Sequence, residues 1–200
     1  MRKLFILFGF TGVLAFNACT DHEIIPPPVP LVDLNCECEA LIDDTSWVYD
    51  DACYYESVKN IVTEGLSSAR YVTSVEEEDI AGGLEIEIRS INWTDGGTNN
   101  PTLDEWTTFL SDNSTPGYSD NTGHNGIEVR WTEPDGEVWV SDTTASVCIE
   151  DFVFNTMIIE SDTTGDYAQF DATFNCTLLH PVLGEKCLEN GHVRSAFKLE

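Results

Sequence analysis

The side chains able to do chemistry in this 200-residue sequence are seven cysteines, four histidines, five tryptophans and a large excess of acids. Cys36 and Cys38 stand one residue apart. Zinc sites built from paired cysteines prefer a gap of about two to four residues and a second ligand pair downstream. No paired histidines follow here, so disulfides are the expected fate of these thiols. Nucleophile motifs are broken. Gly65-Leu66-Ser67-Ser68-Ala69 fails the G-x-S-x-G elbow at its last position, and His22-Glu23 runs into Ile24, Ile25 and Pro26 instead of a second histidine. His124 falls in a polar loop, His180 precedes Pro181 and His192 follows Gly191, which are places for turn and surface residues. Two carboxylates at the right separation would serve glycoside hydrolysis, but 36 Asp and Glu single out no pair. The expectation is a protein that is not an enzyme.

Binding chemistry leaves two sets of candidates. Exposed indole rings stack on sugar faces, whereas buried ones supply core. Trp106 and Trp131 fall on the apolar faces of their segments. Trp139 alternates out of phase with Val138 and Val140, so it is expected to face outward, and Trp93 borders the polar Thr94–Asn100 loop. Trp93 and Trp139 are the candidate ligand-binding residues, with core packing as the competing role. The EF-hand pattern fails throughout, so a bound Ca²⁺ would have to use loop acids such as Asp95 and the pair Asp112 and Asp120. No other cofactor is expected.

Charge narrows the partners. Nine Lys and Arg against 36 Asp and Glu give −27. Nucleic-acid binding needs clustered cations to displace counterions from phosphate, so no nucleic-acid partner is expected, and binding to anionic membrane surfaces, which attract basic segments, is disfavoured. A hydrophobic share of 42% is enough for one packed domain.

The leader supplies an address. Arg2 and Lys3 precede an apolar run from Leu4 to Phe16, too short for a mature membrane span of about 20 residues. It ends in Phe16-Asn17-Ala18-Cys19, which resembles the bacterial lipoprotein cleavage box at Ala18 and Cys19. The resemblance implies removal of residues 1–18 and lipidation of Cys19, a multi-chain anchor including palmitate-type acyl groups. An ordinary secreted protein with Cys19 in a disulfide is the competing reading. Thr20-Asp21-His22-Glu23 resembles the short acidic export signal of Bacteroidota-type surface lipoproteins, implying an outer-membrane anchor facing the cell exterior. The proline run from Pro26 to Pro30 reads as an extended spacer, so residues 19–34 form a lipidated linker. Removing the leader takes Arg2 and Lys3 and no acid, which deepens the charge to −29.

Residues 35–200 must position the candidates, and they read as one antiparallel β domain. Period-two alternation marks strands at 84–89, 127–132 and 168–178. Glu133-Pro134-Asp135-Gly136 signals a hairpin between the second of these and Glu137–Ser141. Further strands are expected at 70–75, 152–159 and 193–199, the last entered through Asn190-Gly191, with 47–57 weakly extended. Thr102 with Glu105 forms a capping box for one short helix of about ten residues. With no βαβ rhythm, the expected fold is an all-β antiparallel sandwich or lipocalin-like barrel.

With Cys19 lipidated, Cys36, Cys38, Cys53, Cys148, Cys176 and Cys187 remain, an even number that suits three disulfides in an oxidising compartment. Cys176 and Cys187 flank Pro181–Gly184 almost symmetrically and are the first expected pair. Cys36 and Cys38 are then expected to reach Cys53 and Cys148.

The second half, from the helix with its Trp and Phe-Leu through Asn125–Val129, the Asp135-Gly136 turn, the Phe170–Phe174 strand and the closing Asn190-Gly191 strand with Phe197, resembles a group of uncharacterised Bacteroidota surface lipoproteins. That resemblance implies a lipocalin-like or sandwich domain without assigned activity. Asp142-Thr143-Thr144 and Asp162-Thr163-Thr164 resemble Asp-Thr-x sites O-glycosylated in exported proteins of that group, with ordinary turns as the alternative. The expected function is a non-catalytic binding or accessory module for a glycan or protein ligand. The alternative is a structural envelope component or accessory subunit of an outer-membrane complex.

Overall fold

An alternating strand needs backbone partners along its edges and a second layer over its apolar face. A computed structural model shows how both needs are met; it describes residues 31–77, 80–94, 99–119, 125–143 and 148–199. The elements are β1 (Glu37–Ile42), β2 (Thr45–Tyr49), β3 (Ala52–Asn60), β4 (Leu66–Glu77), β5 (Ile80–Thr94), α1 (Leu103–Asp112), β6 (Gly126–Thr132), β7 (Val138–Ser141), β8 (Asp151–Asp162), β9 (Gly165–His180) and β10 (Gly184–Lys198). The ten strands form one sheet in the order β2-β1-β10-β9-β7-β6-β5-β4-β3, with β8 also on β9. All strand pairings are antiparallel.

The sheet folds over on itself without closing into a barrel. Ser195 on β10 and Thr73 on β4, far apart in strand order, share a buried 2.6 Å hydrogen bond. The Trp131 indole N–H of β6 donates to the Tyr49 hydroxyl of β2 at 2.9 Å. The all-β antiparallel expectation thus holds, in its sandwich-like rather than its barrel form. Between the layers lie Leu84, Ile86, Ile88, Ile127, Val129, Phe170, Phe174, Leu178, Val193 and Phe197, all at most 3% exposed. Each such side chain contributes roughly 1.5–3 kcal/mol of burial.

Helix α1 follows its sequence signals. The Thr102 hydroxyl accepts from the Glu105 backbone N–H, and the Glu105 carboxylate accepts in return from the Thr102 backbone. The helix buries Trp106 and Leu110, with Trp106 edge-on to Tyr71 at 5.6 Å.

Several expectations change. Asn190-Gly191 lies inside β10, where the register shifts between Leu188 and Gly191, rather than at a strand entry. Gly191 is required there because a Cβ would stand 2.7 Å from the Phe174 ring. The 47–57 stretch divides at Asp50-Asp51 into β2 and β3. The hairpin pairing of Trp131 with Trp139 puts both rings on one face, so Trp139 is 2% exposed and Val138 is the outward residue. In β5 an extra residue between the Tyr71–Ile88 and Ala69–Ile91 pairs reverses the alternation, and Trp93 turns inward to 3% exposure.

The disulfides differ in part: Cys36 reaches Cys53, within the expected set, but Cys176 does not reach Cys187 and Cys38 does not reach Cys148. Cys36 bonds Cys53 and Cys148 bonds Cys187, with Cα–Cα distances of 6.1 and 5.7 Å. Cys38 and Cys176 are buried free thiols instead of bridge partners. The β9–β10 hairpin pairs Gly184 with His180, so Cys176 faces Leu188 while Cys187 faces Thr177. That single-residue offset from symmetry sends the two sulfurs to opposite sides of the sheet. Cys187 therefore meets Cys148, whose backbone N–H donates to Thr177 Oγ1 at 3.1 Å. Removing the capping hydroxyl tests the local account of α1: Thr102→Ala should lower stability by about 1 kcal/mol, read from denaturant midpoints at unchanged slope.

Candidate functional site

Antiparallel register lines up side chains from distant parts of the chain on the outer face of the sheet. Glu37 of β1 stands opposite Arg194 of β10, Arg194 opposite Asp171 of β9, and Asp171 opposite Thr156 of β8. Asp171 is the hub of this row. One oxygen accepts from Arg194 Nε and faces His192 Nε2, both at 3.0 Å; the other accepts from Asn155 Nδ2 at 2.9 Å. Arg194 reaches on to Glu37 at 2.8 Å, and His192 Nδ1 lies 3.9 Å from Glu39. Burial works to raise the Asp171 carboxyl, but hydrogen bonds from Asn155, His192 and Arg194 overcome it and pull it down to about 2.

This row floors an open groove of about 780 Å³, lined also by Asn35, Asp50, Ile158 and Gln169. A second hollow of about 380 Å³ continues past Asn35 and Cys36 to Asp51 and Tyr55. Burial, against a hydrogen bond toward Ser195 and alongside Tyr167, pushes the Tyr55 hydroxyl up to about 12, so it is a neutral hydrogen-bonding group. The Cys36–Cys53 bridge joins the arm before β1 to β3 beside this hollow. The groove offers carboxylate, guanidinium and amide groups in fixed positions with one exposed apolar residue, Ile158. Such a surface can bind a polar, polyhydroxylated ligand by hydrogen bonds.

A second charged constellation is structural. Glu87 of β5 and Glu128 of β6 are direct cross-strand partners, 1% and 3% exposed. Like charges so placed repel. Arg89 touches both, Arg130 lies 2.5 Å from Glu128, and Arg70 lies 3.3 Å from Glu87. The three guanidiniums neutralise a carboxylate pair that would otherwise be intolerable in so little water.

The other sequence candidates scatter. Trp93 and Trp139 are core residues and present no ring to a ligand; Trp139 instead donates its indole N–H to Glu133 and lies beneath the Lys186 ammonium. Asp112 is exposed in the last turn of α1, while Asp95 and Asp120 lie outside the described residues, as do Cys19, His22 and His124. The structure brings together a different acidic group, Asp50, Asp51 and Glu77, with carboxylate oxygens within 4.8 Å. Partial desolvation, against a hydrogen bond from the Asp50 backbone, together with Asp51 raises the Glu77 carboxyl. Asp162 behaves as a turn residue: hydrogen bonds from the Thr164 hydroxyl and the Val32 backbone, with another from the Thr164 backbone, hold its carboxyl below its ordinary value. Burial raises the Cys38 and Cys176 thiols far above their usual range, which keeps them protonated.

Sequence reasoning passed over Asp171 and Arg194 and assigned His192 to a turn or surface position, whereas it lies within β10 opposite Thr173. Asp171 was legible as an outward residue of its strand, and Arg194 is one of the few cations. Their meeting depends on a hairpin register that includes the shift at Asn190-Gly191. Comparison with known protein families, with curated proteins and with solved structures returns no match.

The lowered Asp171 carboxyl makes a pH prediction. Its folded value lies below the unfolded one, so its stabilisation is present above about pH 4 and is lost as pH falls through about 2. Asp171 is 22% exposed, and the shift corresponds to about 2 kcal/mol. Asp171→Asn should remove roughly that amount at neutral pH and flatten the fall in stability across this window, as read from urea titrations at a series of pH values.

Proposed function

We propose that this chain is an exported lipoprotein, anchored through Cys19 at the outer membrane and facing the cell exterior, whose β domain is a non-catalytic module binding a glycan. The observation that carries the binding reading is the groove over Glu37, Arg194, Asp171 and Thr156. Its polar groups are held by cross-strand neighbours and by a disulfide-tied arm, so little side-chain entropy is lost when a ligand arrives. Donors and acceptors of both charge types suit a ligand rich in hydroxyl groups. The acidic surface suits solubility in an external medium, with net charge far from zero opposing association.

The lipoprotein part rests on the leader and on Ala18-Cys19, with disulfides as supporting chemistry for an oxidising compartment. Among the described residues no helix is long and apolar enough to cross a membrane. A second reading, an accessory subunit of an outer-membrane complex, is favoured by the exposed apolar residues Ile149, Val182 and Leu183, at 80%, 83% and 58% exposure.

Two experiments address these readings. Cys19→Ala should abolish incorporation of a labelled fatty acid and move the chain from the membrane to the soluble fraction; unchanged labelling overturns the anchor. Arg194→Ala and Gln169→Ala should each weaken retention on an oligosaccharide array at least tenfold, the effect of losing about 1.4 kcal/mol. Retention equal to the parent in both variants, with folding intact by circular dichroism, removes the groove from consideration. A parent chain retained by no glycan shifts the assignment to the complex-subunit reading.

A further inference from the structure

An imidazole holds the β9–β10 turn from the inside. His180 ends β9, and its Nδ1 accepts from the backbone N–H groups of Val182 at 3.2 Å and Leu183 at 3.0 Å. A ring nitrogen that receives two N–H donors presents a lone pair, so the ring proton sits on Nε2. Nε2 lies 2.9 Å from the Glu137 carboxylate and donates to it. The ring packs on Trp139 with centroids 5.2 Å apart, and its side chain is 12% exposed. The turn held in this way carries Pro181, Val182 and Leu183, and closes through Gly184 at a φ of +103° that a side chain would resist. Val182 and Leu183 are thereby pushed into solvent as an apolar tip.

The charged groups around the ring come from the β6–β7 connection and from β10, with the uncharged Trp139 of β7 between them. Glu137, in the β6–β7 connection, contacts it directly. Trp139 on β7 shares its face region with the Lys186 ammonium of β10, 4.5 Å from the ring centroid. Glu133 fixes both neighbours, accepting from Lys186 at 2.5 Å and from the Trp139 indole at 3.1 Å. Glu137 favours a proton on the imidazole and Lys186 opposes one. Whatever their balance, a proton on Nδ1 sets a third N–H against the two it formerly received, and neither backbone donor retains its acceptor.

We propose that His180 is a proton-sensitive latch on the β9–β10 turn. Neutral, it holds the conformation that presents Val182 and Leu183; on taking up a proton from solvent at Nδ1 it lets the turn go, while the flanking strands stay paired. The proposal concerns the apolar tip and is independent of the groove and its ligand.

The test is nitrogen-15 and amide hydrogen-exchange NMR on the full chain in detergent micelles, followed from pH 8 to about pH 5, the range in which histidines change charge. At the neutral end the His180 ring should show Nδ1 unprotonated and Nε2 protonated. On acidification the Val182 and Leu183 amides should shift with the same midpoint as the ring and lose protection, while amides in the bodies of β9 and β10 keep theirs. Glu137→Gln removes the neighbouring negative charge and should move that common midpoint to lower pH. An Nδ1-protonated ring at neutral pH overturns the latch, as do Val182 and Leu183 amides that stay protected while the ring titrates. Loss of protection along both strands at once also overturns it, because that is unfolding of the hairpin rather than release of its turn.

Discussion

The structure depends on one event, the folding of a long antiparallel sheet until β10 faces β4. Neither half could bury its apolar side alone, since a single layer leaves one face of every strand in water. One polar mark of the closure is the Thr73–Ser195 hydrogen bond, made between two buried hydroxyls. A hydroxyl buried without a partner costs on the order of 1–3 kcal/mol, so the pair disfavours any shift of one layer across the other. The Trp131–Tyr49 hydrogen bond plays the same part near the β2 end. Because these contacts set the layers, they also set which strand faces turn outward, and so where the groove lies.

The balance of charge is handled locally. Of the seven Lys and Arg that follow Lys3, Arg70, Arg89 and Arg130 surround Glu87 and Glu128, and Arg194 serves Asp171. Lys186 is held by Glu133, Lys59 by Asn100, and Lys198 lies over Tyr167. The buried Glu87 and Glu128 thus receive three of the few guanidiniums. Other described acids, such as Glu39 and Glu137, stand in solvent, where counterions and high dielectric make their repulsion tolerable.

The cysteines divide by the same geometry. Those on the covered outer margins, Cys36 with Cys53 and Cys148 with Cys187, tie irregular segments to the sheet. Those on the inner face, Cys38 and Cys176, behave as small apolar side chains. The bridges close loops of 17 and 39 residues in sequence separation, and the restriction of the unfolded chain grows with loop length.

Much of the architecture was determined by the sequence alone. Alternation placed the strands around Ile86, Val129 and Phe170, and the capping box placed α1, because local periodicity and local hydrogen bonds reside in neighbouring residues. The inward fates of Trp106 and Trp131 follow from the same patterns. Tertiary structure decided the rest. The extra residue in β5 turned Trp93 inward, the Trp131 pairing turned Trp139 inward, and an offset of one residue in the β9–β10 hairpin separated Cys176 from Cys187. That hairpin's register, with its shift near Gly191, also brought Arg194 to Asp171. A side-chain period of two means that one inserted or slipped residue reverses a face. Where such a slip falls is chosen by the packing of both layers together, through contacts between residues far apart in the chain, and no short stretch of sequence contains that information.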